Sequence, residues 1–375
     1  MTQQAYRRAL VVGGGIGGLS AATALRRAGC DVDLVEVKSD WSRSGVGIIQ
    51  PSNALRALDA IGVARKCLAA GHPYDRYDYT DAHGKLLSAA NGLQAVPEFP
   101  AFNGIVRGTL HDILLEAAQS AGAAIRMGVT VESLADTDHG VDVQLSDGTR
   151  GRYDLVVGAD GIYSRLRERL FGAGLRATAT GQSVWRVTMP KPAHMTQGVM
   201  MVGEKRKAGF IPISRESMYL LLVTQEPPDR HFSDEELRPA LLQRLEGFTG
   251  LVDEARPYIA DGAPILYRPM EVVMLPAPWH RGRVFLIGDA AHASTPHLGQ
   301  GAAMAIEDAV VLAELVAGGL PPAALGESYM QRRYERACHI QQASLSIGEY
   351  ELGRRPDLDL FATLAAARAR AVQPL

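Results

Sequence analysis

The stretch Ala9 to Glu36, ALVVGGGIGGLSAATALRRAGCDVDLVE, constrains the fold of this chain more than any other. Ala9 to Val12 is a short apolar run that reads as a buried parallel strand, and it ends in glycines spaced GxGxxG at Gly13, Gly15 and Gly18. Leu19 to Ala28 are good helix formers, Gly29 stops them, and Asp31 to Glu36 alternates as a second strand ending in an acid. The unit is βαβ. Gly13 permits the tight turn, Gly15 lets backbone N–H groups approach a pyrophosphate, and Gly18 allows close helix–strand packing. Glu36 follows Gly13 by 23 residues, near the spacing of about 20 at which an acid accepts hydrogen bonds from a ribose. An acid there repels a 2′-phosphate. The expected ligand is an adenine dinucleotide, either FAD or NAD.

At 375 residues the chain is long enough for two domains or one elaborate α/β domain. Its 39 basic and 41 acidic residues leave a net charge of −2, which argues against a nucleic-acid partner. Cys30, Cys67 and Cys338 lie far apart, so neither a disulfide framework nor a metal or redox CxxC is expected, and a reducing cytoplasm fits. Arg7-Arg8 before an apolar run imitates an export signal, but that run is consumed by the first strand and phosphate loop. No apolar segment reaches the roughly 18 residues that span a membrane.

After Glu36, Trp41 to Gln50 reads as a polar turn entering a Gly45/Gly47 loop, followed by a helix from about Pro51 to Ile61. Arg43 in that loop suits a phosphate or ribose contact, or plain solvent. Tyr74 to Leu87 reads as a β-hairpin turning at Asp81 to Gly84, and Arg107 to Ala121 as an amphipathic helix. Val129 to Leu134 and Val141 to Leu145 are further strands. A second strong signal runs from Asp154 to Leu170: a buried strand, then Asp160-Gly161, then Ser164 as a helix N-cap. Asp160, at a strand's carboxyl end, suits phosphate-loop support or contact with flavin and nicotinamide, and by itself reads equally as a turn.

From Gly181 to Arg268 the texture changes to alternating strands with little helix until Asp234 to Leu245, an antiparallel sheet suited to cover a substrate. Lys205-Arg206-Lys207 reads as a solvated hairpin tip or as an anion-recognition trio. The third signal, Arg283 to Val316, is a strand ending at Gly288-Asp289, a loop rich in Ser, Thr, Pro and Gly, and a long helix from about Gly301. Such a loop entering a helix N-terminus cradles anions or electron-rich carbonyls. His292 reads as a helix-supporting polar residue, while His297 in the loop stands open between packing and catalysis. Pro321 to Leu375 reads as helix packed on the cofactor lobe or on a partner subunit of a homodimer.

GGGIGG with Glu36, DGIYSRLR at Asp160 to Arg167, and GDAAH…P…GQG…ED from Gly288 to Asp308, in this order, resemble the single-component FAD-dependent aromatic hydroxylases typified by para-hydroxybenzoate hydroxylase and salicylate hydroxylase. Arg107, followed by Leu110 and Leu114, matches the family's arginine-led helix. The resemblance implies an α/β fold: a three-layer, Rossmann-like FAD-binding domain (1–72, 102–178 and 268–330), an inserted, mostly antiparallel β-sheet substrate domain (73–101 and 179–267) and a C-terminal helical segment (331–375). It implies that Gly13, Gly15, Gly18 and Glu36 hold the ADP half of FAD, that Arg43 and Arg107 contact its ribose and phosphates, and that Ile16, Gly17, Gly47 and Val131 also belong to the cofactor site. Asp289 would bind the ribityl chain. Asp160 is associated with FAD and nicotinamide, and Pro296, Gly299, Gln300, Gly301 and Ala302 would line the isoalloxazine.

The activity implied is hydroxylation of a small phenolic, carboxylated or N-heteroaromatic ring with O2 through a flavin hydroperoxide, NADH or NADPH docking transiently as reductant. A flavin monooxygenase of larger polycyclic or terpenoid substrates is the alternative, and a non-catalytic flavin-binding redox module a remoter one. His297, Lys207 and Tyr219 are the residues expected to orient and deprotonate the substrate. The chain departs from many relatives in carrying Ala303 two residues after the GQG, where they have Asn. It also has His297 where urate-hydroxylating relatives have an acid, which argues against urate, and Trp185-Arg186-Val187 in place of the flavin halogenases' WxWxIP.

Overall fold

The computed structural model describes residues 6–41 and 46–375, and it opens on the expected βαβ unit. β1 (Arg8–Val12) leads into α1 (Ile16–Arg27) and β2 (Asp31–Glu36). The helix begins at Ile16, earlier than Leu19, because Gly17 and Gly18 lie in its first turn. A Cβ on Gly18 would stand 1.8 Å from the Gly13 carbonyl oxygen, so glycine is what lets the helix come this close to the strand turn.

The chain continues through β3 (Gly47–Pro51), α2 (Ser52–Ala60), α3 (Ala64–Ala70), β4 (His72–Tyr74), β5 (Arg76–Asp81), β6 (Leu86–Asn91), β7 (Phe102–Val106) and α4 (Arg107–Ser120). Next come β8 (Ala124–Met127), β9 (Val131–Thr137), β10 (Gly140–Leu145), β11 (Arg150–Tyr153), β12 (Leu155–Gly158) and α5 (Arg165–Phe171). The inserted region holds β13 (Thr178–Pro190), β14 (Gly198–Gly203), β15 (Arg206–Pro212), β16 (Ser217–Gln225), α6 (Asp234–Arg244), α7 (Leu251–Ala260) and β17 (Ile265–Val272). Then follow β18 (His280–Arg281), β19 (Val284–Leu286), α8 (Asp289–His292), a 3₁₀ turn at Pro296–Leu298, α9 (Gly301–Ala317), α10 (Pro322–Glu351) and α11 (Leu360–Val372).

Six strands in the order β18-β19-β12-β1-β2-β8 form the first sheet. β1 has a parallel partner on each side, and its apolar run is buried throughout, as a strand covered on both faces requires. α1 packs with α4 and α9 on one face, and the small sheet β11-β10-β9 lies against β1 and β12, giving three layers.

The seven-stranded sheet runs β17-β13-β16-β15-β14-β5-β6 and is antiparallel except where β14 meets β5. Its alternation sets two faces. Trp185, Val187, Leu220 and Leu222 point to an outer cluster with α6 and α7, while Val184, Ile211, Tyr219 and Leu221 form an inner cluster. β17 and α7 are among the elements that escape the sequence reading. β17 carries Pro269, which a sheet tolerates at an edge, and β17 is an edge strand. α7 carries Pro257 within the helix. The C-terminal helices pack within the chain, α10 on α9 and the 3₁₀ turn, α11 on α2 and α10.

Candidate active site

A cavity of about 680 Å³ lies between the glycine-rich turn and the inner face of the seven-stranded sheet. Gly15, Ile16, Gly17, Gly47, Arg107, Asp289, Pro296, His297, Gly299, Gln300, Gly301 and Ala302 all border it, with Tyr219 on the sheet side. A Cβ on Gly15 would meet nothing within 4 Å, so the backbone there is bare toward the cavity. α1 and α9 both begin at this cavity with no side-chain cap and no acid in the first turn. Their free N–H groups and positive dipole ends favour phosphate or an electron-rich carbonyl. The chemistry of this cradle fits FAD: the start of α1 would suit its phosphates and the start of α9 its ring.

Other expected cofactor residues stand behind the lining. Glu36 accepts hydrogen bonds from the N–H groups of Gly14 at 2.7 Å and Lys38 at 3.0 Å, which pins the turn. Val131 is buried in the core of β9. Asp160 Oδ2 accepts from the Leu166 N–H at 3.1 Å and Ser164 Oγ from the Arg167 N–H at 2.9 Å, so both hold the start of α5. Asp160 Oδ1 is buried with no protein partner among the described residues, which leaves an acceptor for a bound molecule. Arg43 lies outside the described residues. Burial raises the Asp289 carboxyl above its usual range, opposed by His292 and Arg107.

The end of α9 that meets the cavity is fixed from below by a buried charge network. Asp308 accepts from the Gly288 N–H at 2.8 Å, lies 2.6 Å from His292 Nε2, and takes Arg333 Nε at 2.7 Å. Glu307 takes Arg333 Nη1 at 2.9 Å and Arg336 Nη2 at 3.1 Å. Asn53 bridges Gln300 and Glu307, both at 3.0 Å. The ED pair of the third motif therefore acts by holding the Gly288-Asp289 turn and the α9 N-terminus in register, and His292 supports that turn outside the cavity lining.

His297, Lys207 and Glu351 form one cluster. Lys207 Nζ donates to Glu351 Oε1 at 2.6 Å, His297 Nε2 lies 3.1 Å from Glu351 Oε2, and His297 Nδ1 lies 2.7 Å from Thr295 Oγ1. A neutral ring therefore carries its proton on Nε2, donates to Glu351, and accepts the Thr295 hydroxyl at Nδ1. Burial would raise Glu351, but Lys207 and His297 outweigh it and hold the carboxyl down at about 2. Burial, reinforced by Lys207, lowers His297 below the ordinary imidazole value, with Glu351 opposing. Lys207 is thus no solvated tip; only Lys205, with φ of 52°, turns the hairpin, and Arg206 donates to the Arg244 and Glu246 carbonyls. Lys207 and Glu351 face a second cavity of about 380 Å³, and His297 borders both cavities.

The model of the FAD binding domain family matches residues 7–344. The chain is 35% identical over 351 residues to the 2-heptyl-3-hydroxy-4(1H)-quinolone synthase of Pseudomonas aeruginosa (strain UCBPP-PA14), covering 90% of this chain and 88% of that one. It is 32% identical over 362 residues to the 6-hydroxynicotinate 3-monooxygenase of Bordetella bronchiseptica, covering 91% of each. It belongs to the FAD-dependent monooxygenases of the aromatic hydroxylase family. Klebsiella pneumoniae HpxO complexed with FAD and uric acid superposes on this monooxygenase with a TM-score of 0.84 at 25% identity, covering 99% of this chain and 94% of the other. FAD is accordingly the cofactor of this monooxygenase.

Sequence reasoning passes over three residues of this monooxygenase that geometry brings forward: Thr295, Glu351 and Arg186. Thr295 sits inside the third motif and was visible as a hydroxyl beside His297. Glu351 ends a 30-residue helix and meets Lys207 from 144 positions away, so no local pattern announces it. Arg186 has a weak signal, a charge set between the apolar residues Val184-Trp185 and Val187 in the buried middle of β13.

Proposed function

We propose that this monooxygenase hydroxylates an aromatic or N-heteroaromatic ring held between the FAD cradle and the inner face of the seven-stranded sheet. One observation carries the reading: the 680 Å³ cavity joins the start of α9, where a flavin ring would lie, to Tyr219 and His297. FAD, reduced by a nicotinamide that docks transiently, supplies the activated oxygen atom when bound. Residues 73–101 and 179–267 then form the substrate domain, and Gly13, Gly18, Glu36 and Val131 serve the ADP end. The sheet and the α11 residues Leu364 and Arg368 close the cavity and exclude water.

A ring hydroxyl must lose its proton to become nucleophilic, so a relay of suitable pKa has to reach it. Thr295 borders the cavity and touches His297 Nδ1. Its hydroxyl takes the substrate proton while passing its own to Nδ1, and Glu351 then faces the resulting imidazolium at Nε2. Lys207 keeps Glu351 ionised for that purpose. Tyr219, its phenol pushed up to about 12 by burial against the opposing pull of Arg186, stays protonated and serves as a donor to the substrate.

The second cavity, reached past His297, favours a further reading in which the ring carries an apolar chain, as in the quinolone relative. The test is NAD(P)H oxidation by the FAD-loaded enzyme against aromatic acids, phenols, 2-alkylquinolones and polycycles, with product mass. A gain of one oxygen on a monocyclic or bicyclic ring supports the proposal. Oxygenation of polycycles alone, or none at all, sinks it.

A further inference from the structure

We propose that Arg186 binds the negative charge of the substrate, so that the ring this enzyme takes is an anion, its charge carried by a carboxylate or an acidic ring oxygen. This rests on the oxygenation reading above and specifies its substrate class.

Alternation along β13 sends Trp185 and Val187 outward and Val184 and Arg186 toward the cavity. The register sets Arg186 opposite Leu221 of β16 and Leu266 of β17. Around it the inner face is Val184, Tyr219, Leu221 and Met270, so a full positive charge sits on an apolar wall. Arg186 Nε is sealed from solvent and has no hydrogen-bond partner among the described residues. The buried Arg167, Lys207, Arg333 and Arg336 are all answered by a carbonyl or a carboxylate. Arg186 stands in no ion pair among the described residues; its strongest electrostatic neighbours are the neutral phenol of Tyr219 and a second cation, Arg107.

An unanswered buried charge costs stability, and a chain retains one where a ligand answers it. A guanidinium presents a planar fork of donors matched to two oxygens, and such a charge-assisted pair is stronger than a neutral hydrogen bond. Tyr219, protonated on the same face, adds a donor to the same anion. FAD and the nicotinamide also carry anionic groups, and the experiment separates them from the substrate.

The FAD-loaded parent, Arg186→Gln, Arg186→Lys and Arg186→Met are titrated with 6-hydroxynicotinate and with its amide, following flavin absorbance. 4-Cyanophenol is titrated on either side of its own ionisation. The parent should bind at least one of the two anions roughly 10- to 100-fold more tightly than its neutral form, the range for a charge-assisted hydrogen bond. The acid arm identifies a carboxylate, the phenol arm a ring oxygen. Arg186→Gln should lose that discrimination and Arg186→Lys keep part of it, with FAD affinity within about threefold of the parent. Arg186→Met should melt no lower than the parent, since it removes an unpaired buried charge.

Discrimination that persists in Arg186→Gln, loss of FAD in that variant, a lowered melting temperature in Arg186→Met, or a parent indifferent to charge each overturns the assignment. The titrations read binding without turnover. Discrimination that depends on Arg186 while no probe gains oxygen overturns the proposed reaction and leaves the anion site standing.

Discussion

Lys207 Nζ stands 2.6 Å from Glu351 Oε1, tying the inserted sheet to the last residue of the long C-terminal helix α10. Both side chains are about nine-tenths buried, so removing one partner leaves the other charge stranded. Glu351→Gln should therefore lose about 3–5 kcal/mol at neutral pH, read as a lower urea midpoint at unchanged slope.

The same pair sets an acid limit on stability. A carboxyl held at about 2 when folded and about 4.3 when unfolded stabilises the fold above the higher value. That stabilisation, on the order of 3 kcal/mol, drains away as pH falls from about 4.3 through about 2. His297 acts in the same direction from higher pH. Its folded pKa is depressed by burial, so below about 6.5 the unfolded chain takes up a proton that the folded chain refuses. Urea midpoints measured from pH 8 downward should be level, then decline below about 6.5 and more steeply below about 4.3. Glu351→Gln should lack the steeper stage; a parallel decline in both proteins would show that Glu351 is not the group responsible.

His297→Ala should lower product formation by about 10²-fold or more with FAD retained, and Thr295→Val should fall in the same direction because it breaks the relay before the ring. The proton-accepting form of His297 is neutral, and burial holds its pKa low. The acid limb of kcat/KM for the parent should therefore lie below about 6.5. Parent-like rates for His297→Ala across the pH range would remove His297 from the chemistry.

What the sequence makes legible follows from how far apart the interacting residues are. The βαβ unit is readable because Gly13, Gly15 and Gly18 fall within a few positions of one helix start: a Cβ on Gly13 or Gly18 would strike backbone, while Gly15 leaves bare backbone toward the cavity. The third motif is readable for the same reason: Gly288 and Asp308 lie 20 residues apart and are bonded directly. Glu351 is invisible in sequence because its meaning comes from Lys207, 144 residues away, and from His297, 54 residues away. β17 was hidden by a proline that only an edge position excuses, and the edge is a property of the finished sheet. Lys207 looked like part of a solvated basic tip because three adjacent cations give no hint that the third turns inward.

Arg333 lies fully buried between Glu307 at 2.9 Å and Asp308 at 2.7 Å. Arg333→Met would leave two carboxylates beneath the start of α9, with Arg56, Arg336 and His292 as their remaining ionisable partners. The expected loss is about 3–5 kcal/mol in chemical denaturation, with weakened FAD binding because Asp308 also fixes the Gly288 turn. Unchanged stability in the variant would mean that the network carries no net ionic stabilisation.

Gly15 and Gly18 should separate cofactor contact from protein packing. A Cβ at Gly15 meets no atom within 4 Å, so Gly15→Ala should leave the melting temperature of the FAD-free protein within a few degrees of the parent. If the pyrophosphate lies against that backbone, the added methyl occupies its place, and FAD affinity should fall by about tenfold or more, roughly 1.4 kcal/mol. Gly18→Ala differs, because its Cβ would stand 1.8 Å from the Gly13 carbonyl oxygen and force the helix off the strand. That variant should lose both stability and FAD. Isothermal titration with FAD and melting of the stripped protein read the two quantities independently. Should Gly15→Ala bind FAD as the parent does, the phosphates do not approach Gly15, and the cradle begins instead at Ile16 and Gly17.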